Sequence, residues 1–461
     1  MPESTEVDVV VIGLGPGGEH VAASLAKAGL SVVGVDRRLV GGECPYYGCV
    51  PSKMMIRAAD ALQEARRVSS LGGSAEVTPD WTPVADRIRD EATDDWDDIV
   101  AVERLERAGA QFVRGTGRLA GPGRMQVETA DGVRDFVVRR GVVLNTGTEP
   151  AVPPIDGLAG TPYWTNRDVV QVRELPASLV VLGGGAIGCE LAQAFSRFGV
   201  DVTVVEAAER ILGPEEPEAS AVVADALEAE GIEVRAGVGI TAVSHEGGGF
   251  TIGLADGTSI GAAALLVAAG RRNNVGDIGL ETHGLDPAVR ILDTDERMRV
   301  TGSVGGLWAI GDITGKGAFT HMSMYQANVV IRDLTGEDGP WADYRAVARA
   351  TFTDPEVGSV GLTEQQARDA GLNVGVGLAK LPDSSRGWLH KVGNHGVIKV
   401  VADLDRGVLV GATAVGPSGG EIIGMLVTAV HAEVPVTTLK GMHFAYPTFH
   451  RAIETALSDI G

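Results

Sequence analysis

The feature that most constrains this chain occurs twice. VDVVVIGLGPGGEHVAASLAKAGLSVVGVD, residues 7–36, reads as an apolar strand, a turn carrying Gly13, Gly15 and Gly18, an alanine-rich helix and a second strand ending at Asp36. LVVLGGGAIGCELAQAFSRFGVDVTVVE, residues 179–206, repeats the design with Gly183, Gly185 and Gly188 in the turn and Glu206 at the end. Glycines at this spacing let backbone approach a pyrophosphate at a helix N-terminus, and the acid can accept a hydrogen bond from a ribose hydroxyl. Either turn alone could be merely structural. The whole pattern, present twice, implies two dinucleotides in one chain with electrons passing between them. Glu206 would bond a ribose diol and repel a 2'-phosphate, which favours NADH at the second unit. Arg210 is near enough in sequence to keep NADPH as the alternative.

A second stretch gives the electrons a further station. GGECPYYGCVPSK, residues 41–53, holds Cys44 and Cys49, two of only three cysteines in 461 residues. On a regular helix five residues rise about 7.5 Å, beyond the roughly 7 Å that a disulfide tolerates between its Cα atoms. A bridge therefore requires distorted backbone, and Pro45 and Gly48 are the residue types that permit it. The pair reads as a redox dithiol, against the plainer alternative of two buried, reduced cysteines. Cys189, at the apolar start of the second-unit helix, reads as a packed thiol.

A chain this long exceeds what one core supports, so two or three domains are expected. Sixty-one acids against 39 bases give a net charge of -22, which argues against nucleic acid or an anionic membrane surface as a partner. No cationic leader precedes an apolar run and no apolar segment reaches spanning length, so a cytoplasmic protein is expected. In a reducing compartment a reactive cysteine pair must be cycled by a reductant held close by. No metal site is expected.

The fold class that follows is α/β, with two Rossmann-like dinucleotide-binding domains plus a C-terminal α+β interface domain. The first domain takes residues 1–150 and resumes over 271–340, the second takes 151–270, and the interface domain takes 341–461. Gly147 in VLNTGTEP would turn the chain close to the first dinucleotide. Gly311 and Asp312 in WAIGDI follow a strand and would offer a carboxylate to a polyol such as the ribityl chain of a flavin. Helices are expected at 54–69, 220–230 and 320–334, and a helical region at 81–110 whose acids form a solvated face. Strands are expected at 133–138 and 142–144. Beyond residue 341, strand-like segments at 357–360, 374–379, 387–392, 396–402 and 408–415 suggest a largely antiparallel sheet, flanked by helices at 419–431 and 448–458.

Taken together, VVVIGLGPGGEHVA with Asp36, GGECPYYGCVPSK, VLNTGTEP, VVLGGGAIGCEL with Glu206, AAGRRNN, WAIGDI, TFTDPEVGSVGLTE and FAYPTFH give the chain a family resemblance over nearly its full length. It resembles the class I pyridine nucleotide-disulfide oxidoreductases, the family of dihydrolipoamide dehydrogenase, glutathione reductase and mercuric reductase. The resemblance implies an FAD domain interrupted by an NAD(P) domain, an interface domain, and a homodimer whose active site uses both subunits. It implies that Gly13, Gly15, Gly18 and Asp36, with Gly147, Gly311 and Asp312, hold FAD, and that Gly183, Gly185, Gly188 and Glu206 hold NADH. Cys44 is similar to the family's interchange thiol and Cys49 to the thiol lying against the flavin. Lys53 resembles the lysine near flavin N5, and Glu190 its carboxylate partner. Ala186 stands where some members place a bulkier gate over the nicotinamide pocket.

The C-terminal motif departs from the family. Disulfide-reducing members carry His-Pro-Thr with a glutamate five residues beyond that histidine, whereas this chain has Tyr446, Pro447, Thr448 and then Arg451. A tyrosine is about 0.1% ionised at neutral pH and is a poor general base there, although its hydroxyl can donate. His443 and His450 are lone histidines with no obvious carboxylate orienter, and His321 is a candidate by proximity alone. No cysteine follows Cys189, so the C-terminal pair by which mercuric reductases deliver metal is missing. The expected activity is an FAD-dependent NAD(P)H oxidoreductase that passes electrons to a quinone-like or other electrophilic small molecule, with Tyr446 as a donor at the site. The alternative is an NADH-dependent disulfide reductase resembling dihydrolipoamide dehydrogenase. A mercuric reductase-like enzyme and a non-catalytic flavoprotein scaffold are further alternatives.

Overall fold

The run VVVI after Asp8 has no polar alternation, the mark of a parallel strand covered on both faces. In the computed structural model, which describes residues 4–460, Thr5–Ile12 is a central strand of its sheet. It pairs in parallel with Val32–Asp36 on one side and with Gly132–Leu144 on the other. Gln111–Arg114 extends the first side and Leu307–Ala309 pairs with the end of Gly132–Leu144, both in parallel. An antiparallel meander of Thr116–Leu119 and Arg124–Thr129 folds back on the first half of Gly132–Leu144. This sheet centres a unit made of the chain up to Pro51, Ile88–Ala151 and Arg271–Asp343. Its core gathers Val10, Ile12, Val33, Phe136, Leu144 and Ala309.

Ser52–Arg87, Val152–Gly270 and the chain from Tyr344 on form a second unit. In it, Ser178–Leu182 lies between Asp201–Glu206 and Ala264–Val267, with Glu233–Ala236 beyond, all parallel. A three-stranded antiparallel sheet, Ile240–Glu246, Gly249–Leu254 and Ser259–Ala262, accompanies it. The last part of the chain builds a five-stranded antiparallel sheet in the order Ala348–Thr351, Glu356–Gly361, Val408–Gly416, Val397–Asp403, Val374–Lys380. Helices Gly419–His431 and Arg451–Asp459 pack on it. The fold is α/β with two Rossmann-type subdomains and a C-terminal α+β domain, as the doubled motif implies. Among the described residues no helix is long and apolar enough to cross a membrane.

Three local expectations are corrected. The strands at 133–138 and 142–144 are one strand, Gly132–Leu144. Arg139 and Arg140 interrupt the apolar run, but each finds a partner, Asp8 at 3.1 Å and the Leu334 carbonyl at 2.9 Å, so the ladder continues. The segment at 387–392 is not a strand. Ser385–His390 is a helix whose N-cap Ser384 accepts from the Gly387 N–H at 3.0 Å, and its Trp388 is 70% exposed rather than part of a buried strand face.

The helical region at 81–110 breaks into Thr82–Arg87, a π-turn at Ile88–Ala92, and Ile99–Arg107. Asp94, Asp95 and Trp96 all adopt positive φ between the last two. Its acids are not all solvated either. Asp98 is 7% exposed and accepts from the Val40 N–H at 2.6 Å and from Arg114 at 2.6 and 2.8 Å.

Candidate active site

Both glycine turns have the geometry their spacing implies, and both use the terminal acid in the same way. Gly13 has φ 90°, and a Cβ there would fall 2.2 Å from the Asn145 carbonyl oxygen. One on Gly18 would fall 2.0 Å from the Gly13 carbonyl oxygen, while Gly15, at the N-cap of Pro16–Lys27, meets only the Asn145 side chain at 3.4 Å. In the second turn a Cβ on Gly188 would fall 1.9 Å from the Gly183 carbonyl oxygen, and Gly185, at the N-cap of Ala186–Arg197, has nothing within 4 Å. The outer glycines are thus required by the chain's own packing, and the middle one leaves the helix N-terminus approachable for a diphosphate.

Asp36 accepts from the N–H groups of Leu14 and Arg38, each at 2.7 Å. Glu206 accepts from Gly184 and Ala208, each at 2.7 Å. Each acid therefore braces the turn that precedes it, a role the sequence reading missed. Burial pushes the Asp36 carboxyl above its ordinary value, against these two hydrogen bonds. Arg210 donates to the carbonyls of Leu212, Gly213 and Glu215 at 3.2, 2.7 and 2.8 Å.

The strand Gly132–Leu144 delivers the next group of residues to the first turn. Asn145, buried, accepts from the Gly18 N–H at 2.8 Å and donates to the Ile310 carbonyl at 3.1 Å and the Ser323 hydroxyl at 3.3 Å. The Thr146 hydroxyl beside it is buried with no hydrogen-bond partner, and Gly147, at φ 63°, has open space around it. Asp312 accepts from the Thr148 hydroxyl at 2.6 Å, which in turn accepts from Arg271 Nε at 2.6 Å; Arg271 also lies 3.5 Å from Glu43. An orphaned hydroxyl, an approachable helix end and a carboxylate after a strand fit a flavin dinucleotide. Asn145, Thr148 and Arg271 were not singled out by sequence, since each partner lies far along the chain.

The cysteine stretch is distorted where expected. Glu43–Tyr47 is a short helix, Gly48 breaks it at φ −132° and ψ −113°, and Cys49–Arg67 begins afresh. Cys44 and Cys49 are both thiols. Cys49 Sγ lies 3.5 Å from the Thr320 hydroxyl, at the first residue of the helix Thr320–Thr335. The neighbouring Cys49 sulfur, with burial, holds the Cys44 thiol well above the ordinary thiol range, while Thr320 works the other way. Cys44 thus keeps its proton, with Cys49 as its hydrogen-bonding neighbour. Cys189 is buried, donates to the Gly184 carbonyl at 3.3 Å, and is pushed up to about 12 by burial and by Glu190, so it is an inert, packed thiol.

In the second unit Lys53 Nζ lies 2.6 Å from Glu190 Oε2. Glu190, 5% exposed, uses its other oxygen to accept from the Phe352 N–H at 2.8 Å, and the Phe352 ring lies 4.7 Å from the ammonium. Tyr446 is 69% exposed, with the Arg451 guanidinium 5.6 Å from its ring. Arg451 pairs with Glu454 at 3.2 Å. His450 is the N-cap of Arg451–Asp459 and His443 is exposed; among the described residues neither imidazole has a carboxylate partner. His321 stacks on Phe319 at 5.2 Å.

Two braced nucleotide turns and a neighbouring pair of thiols define an oxidoreductase that uses a flavin and a pyridine nucleotide. Residues 7–327 match the family model "Pyridine nucleotide-disulphide oxidoreductase" and residues 347–457 match its dimerisation domain. The chain belongs to that family and is an enzyme of FAD/NAD(H) type. It is 32% identical to the dihydrolipoyl dehydrogenase of Halobacterium salinarum, over 99% of this chain and 97% of that one. It is likewise 32% identical to that of Mycobacterium leprae, over 98% and 97%. Among solved structures, LpdA of Mycobacterium tuberculosis superposes with a TM-score of 0.85 at 25% identity, covering 98% of this chain and 99% of that one. The HOCl-induced flavoprotein disulfide reductase RclA of Escherichia coli superposes with a TM-score of 0.83 at 26% identity, with the same coverage.

Proposed function

We propose that the chain is an NADH-dependent disulfide reductase, acting as a homodimer, in which Cys44 attacks the substrate disulfide. The observation that carries this reading is the sulfur pair itself, two hydrogen-bonded thiols with Cys49 Sγ 3.5 Å from the hydroxyl of Thr320, the first residue of the helix Thr320–Thr335. FAD, when bound, supplies the two-electron relay between nicotinamide and dithiol. Cys44 forms a mixed disulfide with one substrate sulfur and displaces the other, which leaves with the Cys44 proton, and the Cys49 proton leaves with the second. Cys49 then attacks Cys44 Sγ, the second substrate thiol departs, and the Cys44–Cys49 disulfide closes. The proton that the Cys44 thiol carries takes the part that a histidine fills in relatives of this family and that Tyr446 fills poorly. Glu206 disfavours a 2'-phosphate, and Arg210 has its N–H groups directed to three backbone carbonyls, which supports NADH over NADPH. A quinone-like acceptor draws on one observation, the exposed Tyr446 hydroxyl in place of an imidazole.

Cys44→Ser tests the reading in anaerobic, FAD-loaded protein supplied with NADH, lipoamide and a benzoquinone. Lipoamide turnover is expected to fall at least about a hundredfold while flavin reduction by NADH is unchanged. Undiminished disulfide turnover would exclude attack by Cys44. Rapid quinone reduction with no disulfide turnover in the parent protein would replace this reading with the quinone one.

A further inference from the structure

The helix Cys49–Arg67 carries Lys53, Asp60 and Arg67 at seven-residue steps. The helix Ala186–Arg197 carries Glu190, Gln193 and Arg197 at steps of three and four. Both spacings put their residues along one helix face. The segment from Phe352 to Asp354 joins the two rows. The Asp354 carboxylate accepts from Arg197 and from Arg67, each at 2.7 Å, one guanidinium from each helix. Its backbone makes a two-point contact with Gln193: the Asp354 N–H donates to the Gln193 side-chain oxygen at 2.7 Å, and the Gln193 amide donates to the Asp354 carbonyl at 2.9 Å. Arg197, only 2% exposed, also holds Glu230 and Asp60 at 2.6 Å. Asp354 is therefore fixed by four hydrogen bonds from three side chains.

Two residues upstream, that fixed backbone does two things to one ion pair. The Phe352 N–H occupies Glu190 Oε1, which leaves Oε2 for Lys53, and the Phe352 ring lies against the ammonium. We propose that Asp354 is a positioning residue for the Lys53–Glu190 pair, anchoring Phe352 so that the ammonium is held one helical turn beyond Cys49. A fixed cation there favours the thiolate form of the cysteine pair. The inference deepens the disulfide-reductase reading and rests on it.

The test is a double-mutant cycle on FAD-loaded, reduced protein, reading the pH midpoint of iodoacetamide alkylation at the Cys44–Cys49 pair. Lys53→Met is expected to raise the midpoint by about one unit, and Asp354→Asn to raise it by roughly half as much. The double variant should match Lys53→Met alone, because Asp354 acts through Lys53. An Asp354→Asn variant that melts earlier with an unmoved midpoint would mark a purely structural residue and overturn the proposal. Shifts that add in the double variant would overturn it as well. An unmoved midpoint in Lys53→Met would remove Lys53 from the dithiol chemistry and sink both this inference and the role given to Lys53. Should Asp354→Asn fail to fold, Arg67→Met removes one of its two guanidinium partners; a smaller shift in the same direction supports the proposal, and none overturns it.

Discussion

Asn145 serves three elements with one amide. It caps the packing of Gly18 against Gly13, reaches the Ile310 carbonyl and meets Ser323, whose sequence separations from it run from 127 to 178 residues. Local pattern cannot reveal such a residue, although it stands in the same short stretch as Gly147. Cys44 and Cys49 are the opposite case: their spacing, with Pro45 and Gly48 between, already demands a broken helix, and the break lies at Gly48. Asp36 and Glu206 were legible as acids in the right place, but their bracing hydrogen bonds depend on how tightly each turn closes. Asn145→Ala leaves the buried Gly18 N–H without its acceptor, so unfolding free energy is expected to drop by roughly 1–3 kcal/mol. Urea denaturation measures it, and FAD retention on gel filtration should weaken in parallel.

Helices and strands with long periodic patterns were read correctly, and the failures sit where local chemistry outranks periodicity. Thr320–Thr335 and Gly419–His431 match their expected spans closely. Ser385–His390 does not, because a six-residue run with apolar Trp388, Leu389 and Val392 is too short for its pattern to separate a strand from a surface helix. There the deciding signals are the cap hydroxyl of Ser384 and Gly387, where a Cβ would fall 1.8 Å from the Leu381 carbonyl oxygen. Ser384→Ala is expected to cost about 0.5–2 kcal/mol in unfolding free energy, whereas a strand at this place would lose little. The acids after residue 90 misled in the same manner, since the break at Asp94 to Trp96 turns Asp98 inward to Arg114.

At the scale of the molecule the doubled nucleotide motif carried most of the fold, because its strand, turn and helix are local and its repetition fixes the parallel sheets. Long-range ion pairs were not legible. Asp60 is an example with a measurable consequence: burial pushes its carboxyl up to about 6, with Asp354 adding to the shift and Arg197 opposing it. The folded protein thus holds this proton more tightly than the unfolded chain does, so the contribution of Asp60 to stability falls as pH rises from about 4 to about 6 and is flat above. Thermal melts across that window should show the parent losing stability relative to Asp60→Asn as pH increases. A constant difference would show that Asp60 does not titrate there.

The twin braces of Asp36 and Glu206 set the shape of both turns with hydrogen bonds internal to the chain. Each turn is consequently a rigid mould. The conformational entropy of shaping it is spent once, when the protein folds, and is not charged again whenever a nucleotide arrives or leaves. For an enzyme that must exchange oxidised for reduced nicotinamide at every cycle, that arrangement keeps both the loading and the release of the nucleotide free of any refolding step.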